Sequence, residues 1–308
     1  MKYAKSPLSI PDQIAHWQAK GLQIPDLAAA TQALTFIGYF RLRGYALPWM
    51  HSTANGRVFN PGTTLSMITD AYRLDHELRG AILRELETIE VGIRTVISNT
   101  MSDDYGPFWY FNQPAVIFGD IKKRDGSLEA FPLQTFLAEV DSETRRSKDA
   151  FAQHFYSKYT DPALPPSWLM AECVTFGKWS KIYQHLQKAD ASKPHPKKAI
   201  AKVFQLQMEV LESWLHALTV LRNICAHHGR VWNRRFSMRP KVFTQQAKHF
   251  TDPQSFYSYA VVIRLLSRAI NPNSDWPRTL QNILASYPGI NPADMGFPVQ
   301  WQADALWL

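Results

Sequence analysis

The sequence is short of the features that mark secreted, metal-binding and membrane proteins. Its 308 residues include two cysteines, Cys173 and Cys225, far apart and in helix-like surroundings. They form neither a disulfide framework nor a CxxC metal site, and they fit a reducing compartment. No apolar run approaches the roughly 20 residues that a membrane span needs, and the opening MKYAKSPLSIPDQ carries no apolar signal-peptide core. A cytoplasmic protein with no membrane partner is the expectation. Alternation of the strand type is almost missing, as are internal repeats, low-complexity tracts and long linkers. These absences leave one all-α architecture as the economical expectation, with a small N-terminal helical subdomain over 1–60 and the main helical body over 61–308.

What is present supports a sizeable core. The chain is 45% hydrophobic and 19% charged, the balance of a globular protein. A net charge of +8 and a pI near 9.4 favour an anionic partner, of which nucleic acid is the usual one.

Helical periodicity runs through most of the chain. Ser9-Ile-Pro-Asp-Gln opens a first helix that presents Ile14 and Trp17 on one face and stops at Gly21, and a second spans 26–37. The aromatic and basic segment 38–49 reads as either helical or extended. Leu74, Leu78, Ile82, Leu86, Ile89, Ile93 and Ile97 step by three or four and predict one long helix over 64–101, with Arg79, Arg84, Glu87 and Arg94 largely off its apolar stripe. Helices are also expected over 132–158, 166–188, 206–228 and 253–270. Surface turns are expected at KKRDGS (122–127) and KADASKPHPKK (188–198), and a Pro- and Trp-rich tail at the end.

The stretch LRNICAHHGRVWNRR, 221–235, ends an amphipathic helix in arginines and two adjacent histidines. Arg222 and His227 are five residues apart, about 140° around an ideal helix, so they share no face unless the helix ends there. Gly229 makes such an end plausible, and a twofold dimer offers another way to bring the two groups together. The chemistry suits RNA cleavage, because an RNA strand supplies its own 2′-hydroxyl nucleophile. His227 would exchange protons near neutral pH, Arg222 would hold the phosphate, and Asn223 would hold the phosphate or orient the imidazole. The same residues also suit an ordinary helix C-terminus, where the macrodipole favours cations.

Four blocks of the chain resemble the Abi-like family, the AbiD/AbiF type linked to abortive phage infection. They are GYFRLRGY (38–45), YRLDHELRGAILRELETIEVGIR (72–94), PPSWLMAECVTFGKWSKIY (165–183) and LRNICAHHGRVWNR (221–234). The last is similar to the R-x4-6-H motif of the HEPN superfamily, whose members are helical and often act as metal-independent ribonucleases. That resemblance implies a HEPN-like helical bundle with additional N- and C-terminal helices and an active site of Arg222, Asn223 and His227, usually completed across a homodimer. It also implies an endoribonuclease of defence or toxin type, leaving 2′,3′-cyclic phosphates, needing no cofactor and restrained by an antitoxin or released by a phage trigger. Some HEPN toxins carry a Tyr two positions after the His; here that position is Gly229, so control through that Tyr does not transfer.

His228 is the secondary candidate for the imidazole. Arg230, Asn233, Arg234 and Arg235 are candidate phosphate contacts in an RNA-binding surface. Cys225, His227 and His228 lack further ligands at metal-site spacing. Glu90 and Arg94 are placed to pair one turn apart. Tyr39, Phe40, Arg41 and Tyr45 mix aromatics with cations as single-strand binders do, although a helix packed by its tyrosines explains them equally. Trp168, Trp179 and Trp214 sit at core spacings. The alternative function is a non-catalytic protein that holds a structured regulatory RNA in the same basic cleft.

Overall fold

The apolar stripe that begins near Leu74 organises the whole chain. The computed structural model describes residues 6–54, 56–123 and 125–308; the MKYAK opening and Arg124 of the KKRDGS turn lie outside them. Helices come first as α1 (Ile10–Ala19), α2 (Leu27–Phe36) and α3 (Tyr39–Ala46), followed by a hairpin of β1 (Met50–Thr53) and β2 (Gly56–Phe59). Ser9 and Asp26 cap α1 and α2, accepting from the backbone N–H groups of Asp12 and Ala29. The ambiguous 38–49 segment is helical through Ala46.

Next comes α4 (Leu65–Tyr105), 41 residues and therefore about 60 Å long. All seven stripe residues are buried. The helix is the axis of the molecule: α3, α9 (Ser167–Cys173), α10 (Phe176–His185), α11 (Pro196–Val203), α12 (Met208–Ala226), α13 (Phe256–Ile270) and α14 (Trp276–Ala285) all pack on it. The shorter α5 (Trp109–Asn112) and α6 (Pro114–Ile117), the small β3 (Ile121–Lys122)–β4 (Leu128–Glu129) hairpin, α7 (Leu133–Arg146) and α8 (Ala150–Lys158) lie between α4 and α9 in the chain. The all-α expectation holds, with 61% helix against 5% strand among the described residues. One cluster of buried side chains runs from Ile14 to Trp307.

Several local expectations change. The 132–158 segment breaks at Ser147–Asp149, where the Ser147 hydroxyl donates to the Asp149 carboxylate and accepts from the Asp149 backbone N–H, competing with the helical ladder. The 166–188 segment breaks at Val174, which is extended (φ −92°, ψ 136°). Pro196–Val203 forms a helix because Ile200 and Ala201 find a buried place, and Trp276, Leu280, Ile283 and Leu284 do the same for the tail helix α14. Trp179 and Trp214 are core residues, whereas Trp168 is 53% exposed: the break after Cys173 sets the face of α9 independently of α10. Arg79, expected off the stripe, is buried beside Asp75. No helix among the described residues is long and apolar enough to cross a membrane.

Candidate functional site

The 221–235 stretch begins on the last two turns of α12. Val210, Leu211, Trp214, Leu215, Leu218, Leu221 and Cys225 turn inward, so the opposite face is fixed outward. That outward face carries His216, Asn223 and His227, all exposed. Asn223 and His227 are one turn apart and share it.

The helix ends in a Schellman turn. His228 N–H donates to Cys225 O at 3.0 Å and Gly229 N–H to Ile224 O at 2.7 Å. Between them His228 takes the left-handed conformation, φ 57°, a position that glycine fills most cheaply. Gly229 is small for another reason. A Cβ there would lie 3.0 Å from both Ile224 O and Ile224 Cγ2. His227 itself stays close to helical (φ −92°, ψ 18°), and its N–H still donates to Asn223 O. The unwinding therefore comes one residue too late to swing His227 round to Arg222, and within one chain the two remain about 140° apart.

The strained turn is held from two sides. On one side α3 supplies Arg41, whose Nη1 donates to His228 O at 2.8 Å, and Gly44 O, which accepts from Arg230. On the other, Asp75 of α4 is fully buried and accepts the backbone N–H groups of Val231 (2.9 Å) and Trp232 (2.6 Å) on one oxygen. Its second oxygen accepts the Tyr45 hydroxyl (2.6 Å) and pairs with Arg79. Burial, and then the Asp75 charge, push the Tyr45 phenol well above its ordinary range, so it acts as a donor. The Trp232 ring lies nearly parallel to those of Tyr45 and Trp49, with centroids 6.2 and 5.4 Å away. Three segments distant in sequence are thus tied into one rigid turn.

Arg222 faces the other way, into a cleft of about 250 Å³ lined by Leu83, Leu86, Glu87, Glu90, Val91 and Arg94. Its Nε lies 4.0 Å from Glu90 Oε2 with the side chain 41% exposed, leaving the guanidinium reachable from solvent. Glu90 also pairs with Arg94, as the spacing predicts, and Arg94 donates to Ala171 O at 3.1 Å. Burial lowers the affinity of Arg94 for its proton.

The remaining candidates divide. Arg234 is exposed and donates to Arg230 O, and Asn233 (φ 46°) is half-buried. Arg235 is exposed but paired with Asp252, with Gln254 beside it. Arg230 turns inward: its bond to Gly44 O and the Tyr45 ring 6.0 Å away give it a holding role, and burial lowers its pKa. Tyr39 and Tyr45 pack inward, Tyr39 against Trp17 at 5.0 Å. Sequence reasoning missed Asp75 and its partnership with the turn. The readable signal was a charged i, i+4 pair, Asp75 and Arg79, lying beside the Leu74–Leu78 stripe where charge is seldom buried unpaired.

The fold and site together define an all-helical protein with an exposed imidazole on a clamped, basic helix end. The chain matches the model of the Abi-like protein family over residues 32–233, and it belongs to that family. The matched region runs from α2 to Asn233, so it takes in α3, α4 and the whole of the clamped turn. No curated protein and no solved structure gives a significant match.

Proposed function

We propose that this chain is a metal-independent endoribonuclease of the HEPN type acting in abortive-infection defence, the setting that the Abi-like family implies. The observation that carries the proposal is the clamped turn: α3 and α4 converge on residues 228–232 and hold exposed His227 at the edge of a basic helix end. A surface cation cluster without function needs no such clamp, nor a histidine in a left-handed position beside it.

In this reading the substrate's 2′-hydroxyl gives up its proton as its oxygen attacks the adjacent phosphorus, and the bond from phosphorus to the 5′-oxygen breaks. His227 handles the proton, which ends on the departing 5′-oxygen. Arg222, steered by Glu90, neutralises the charge that builds on the phosphate. Asn223, on the His227 face, holds the phosphate or orients the imidazole. The products are a 2′,3′-cyclic phosphate and a 5′-hydroxyl. Because Arg222 and His227 diverge within one chain, the working site is formed by Arg222 of one protomer and His227 of a second in a twofold dimer. Arg234 is the open phosphate contact of the RNA-binding set; Arg235 joins it by exchanging Asp252 for phosphate. An unrestrained nuclease would harm its own cell, so a phage trigger or an antitoxin partner controls it.

The test is cleavage of labelled RNA in excess EDTA by wild type and by His227→Ala. Wild-type cutting with cyclic phosphate ends, lost in the variant while binding persists, supports the reading. Salt-sensitive binding without turnover in either protein replaces it with the RNA-holding alternative.

A further inference from the structure

One aromatic of the GYFRLRGY block stays outside the fold. Tyr39 and Tyr45 pack inward, but the ring of Phe40 is 84% exposed. A phenylalanine ordinarily removes about 150–250 Å² from water on folding, and here almost none of that is realised. Arg43, three residues further along α3 and so on the same face as Phe40, is exposed and makes no ion pair among the described residues. Arg41, the residue after Phe40, is the one that donates to the carbonyl of His228, the residue after His227. Phe40 and His227 are therefore the chain neighbours of the two residues that share this hydrogen bond. One turn further along, α3 is tied to the same turn again through Gly44 O and Arg230.

We propose that Phe40 is a base-stacking platform and Arg43 its accompanying phosphate contact, together forming a subsite for an unpaired nucleotide that flanks the position held by His227. This subsite rests on the RNA reading above and makes it more specific: the substrate is single-stranded at that point, because a base inside a duplex has no free face to offer the ring. Every base has such a face, so the subsite is tolerant of sequence. The Arg41–His228 bond fixes the platform relative to the imidazole, so a base seated on Phe40 sets the register of the strand across the site.

The experiment measures binding of a fully 2′-O-methylated single-stranded RNA oligonucleotide, which cannot be cut, by fluorescence anisotropy. Wild type is compared with Phe40→Ala, Phe40→Leu, Phe40→Trp and Arg43→Gln, and a fully paired duplex of the same RNA serves as control. Phe40 is exposed, so these changes leave the core intact. Stacking predicts that Phe40→Ala weakens single-strand binding about five- to a hundredfold. Phe40→Leu should be as weak as Phe40→Ala, Phe40→Trp at least as tight as wild type, and duplex binding unchanged. Arg43→Gln should flatten the plot of log K against log salt by about 0.7. If Phe40→Leu binds like wild type, the ring is an apolar contact of another kind and the platform is refuted. If wild type binds and Phe40→Ala binds equally well, the subsite fails while the RNA reading stands. If wild type binds neither RNA, the RNA reading itself fails and takes the subsite with it.

Discussion

Replacing Asp75 should unfasten the turn that carries His227. The carboxylate has no solvent exposure and satisfies four donors: two backbone N–H groups, the Tyr45 hydroxyl and the Arg79 guanidinium, itself buried. Asp75→Asn keeps an acceptor for Val231 and Trp232 but removes the charge facing Arg79 and turns an amide N–H2 toward donors. Breaking a buried ion pair by removing one partner costs about 3–5 kcal/mol; the asparagine variant belongs near the lower figure and Asp75→Ala near the upper. For 308 residues an unfolding entropy of about 2.1 cal/mol/K per residue converts this to a fall in Tm of about 5–8 °C. Arg79→Met should cost less, because three hydrogen bonds still satisfy Asp75. In a double-mutant cycle Asp75→Asn and Arg79→Met should couple by about 1–3 kcal/mol. Calorimetry and urea unfolding of the four proteins measure this. An Asp75→Asn protein within about 0.5 kcal/mol of wild type, the range of an ordinary surface substitution, would refute the clamp.

His228→Gly should raise stability by about 0.5–1 kcal/mol, since relief of the left-handed strain exceeds the greater entropy that glycine loses on folding; a drop in Tm would show that the His228 side chain supports the turn. Gly229→Ala should lower stability by about 1–3 kcal/mol through crowding of Ile224, as small-to-large changes in tight sites do; an unchanged Tm counts against it. Burial lowers the pKa of His185, His195 and His249. The unfolded chain, titrating near pH 6.5, therefore binds more protons than the folded one just below that pH. Stability should be full above about pH 6.5 and fall as the pH drops through the lowered folded values; a Tm equal at pH 7.5 and 5.5 would contradict this.

Periodicity located the long helix because a stripe of seven apolar residues has one explanation. It could not place the breaks at Ser147–Asp149 and Val174, which depend on local side-chain competition and on which face finds a partner. Trp168 shows the consequence, since the break six residues later, at Val174, sets the face on which it lies. At the site, the spacing of Arg222 and His227 already carried the geometric problem, and Gly229 the helix end. Hidden from the sequence was the clamp: Arg41, Asp75 and Arg79 lie more than 140 positions from the turn they hold, and no local pattern encodes that pairing. The mixed block around Tyr39–Tyr45 was legible as chemistry but not as direction. Only the fold separates the inward tyrosines from outward Phe40.

The most direct test is complementation between Arg222→Ala and His227→Ala. Each variant alone should fail to cut RNA in excess EDTA. Mixed in equal amounts and allowed to exchange subunits, they should regain about a quarter of wild-type activity, because half of the dimers are mixed and one of the two composite sites in each is intact. A mixture as inactive as its components, beside an active wild type, would contradict a site shared between two chains.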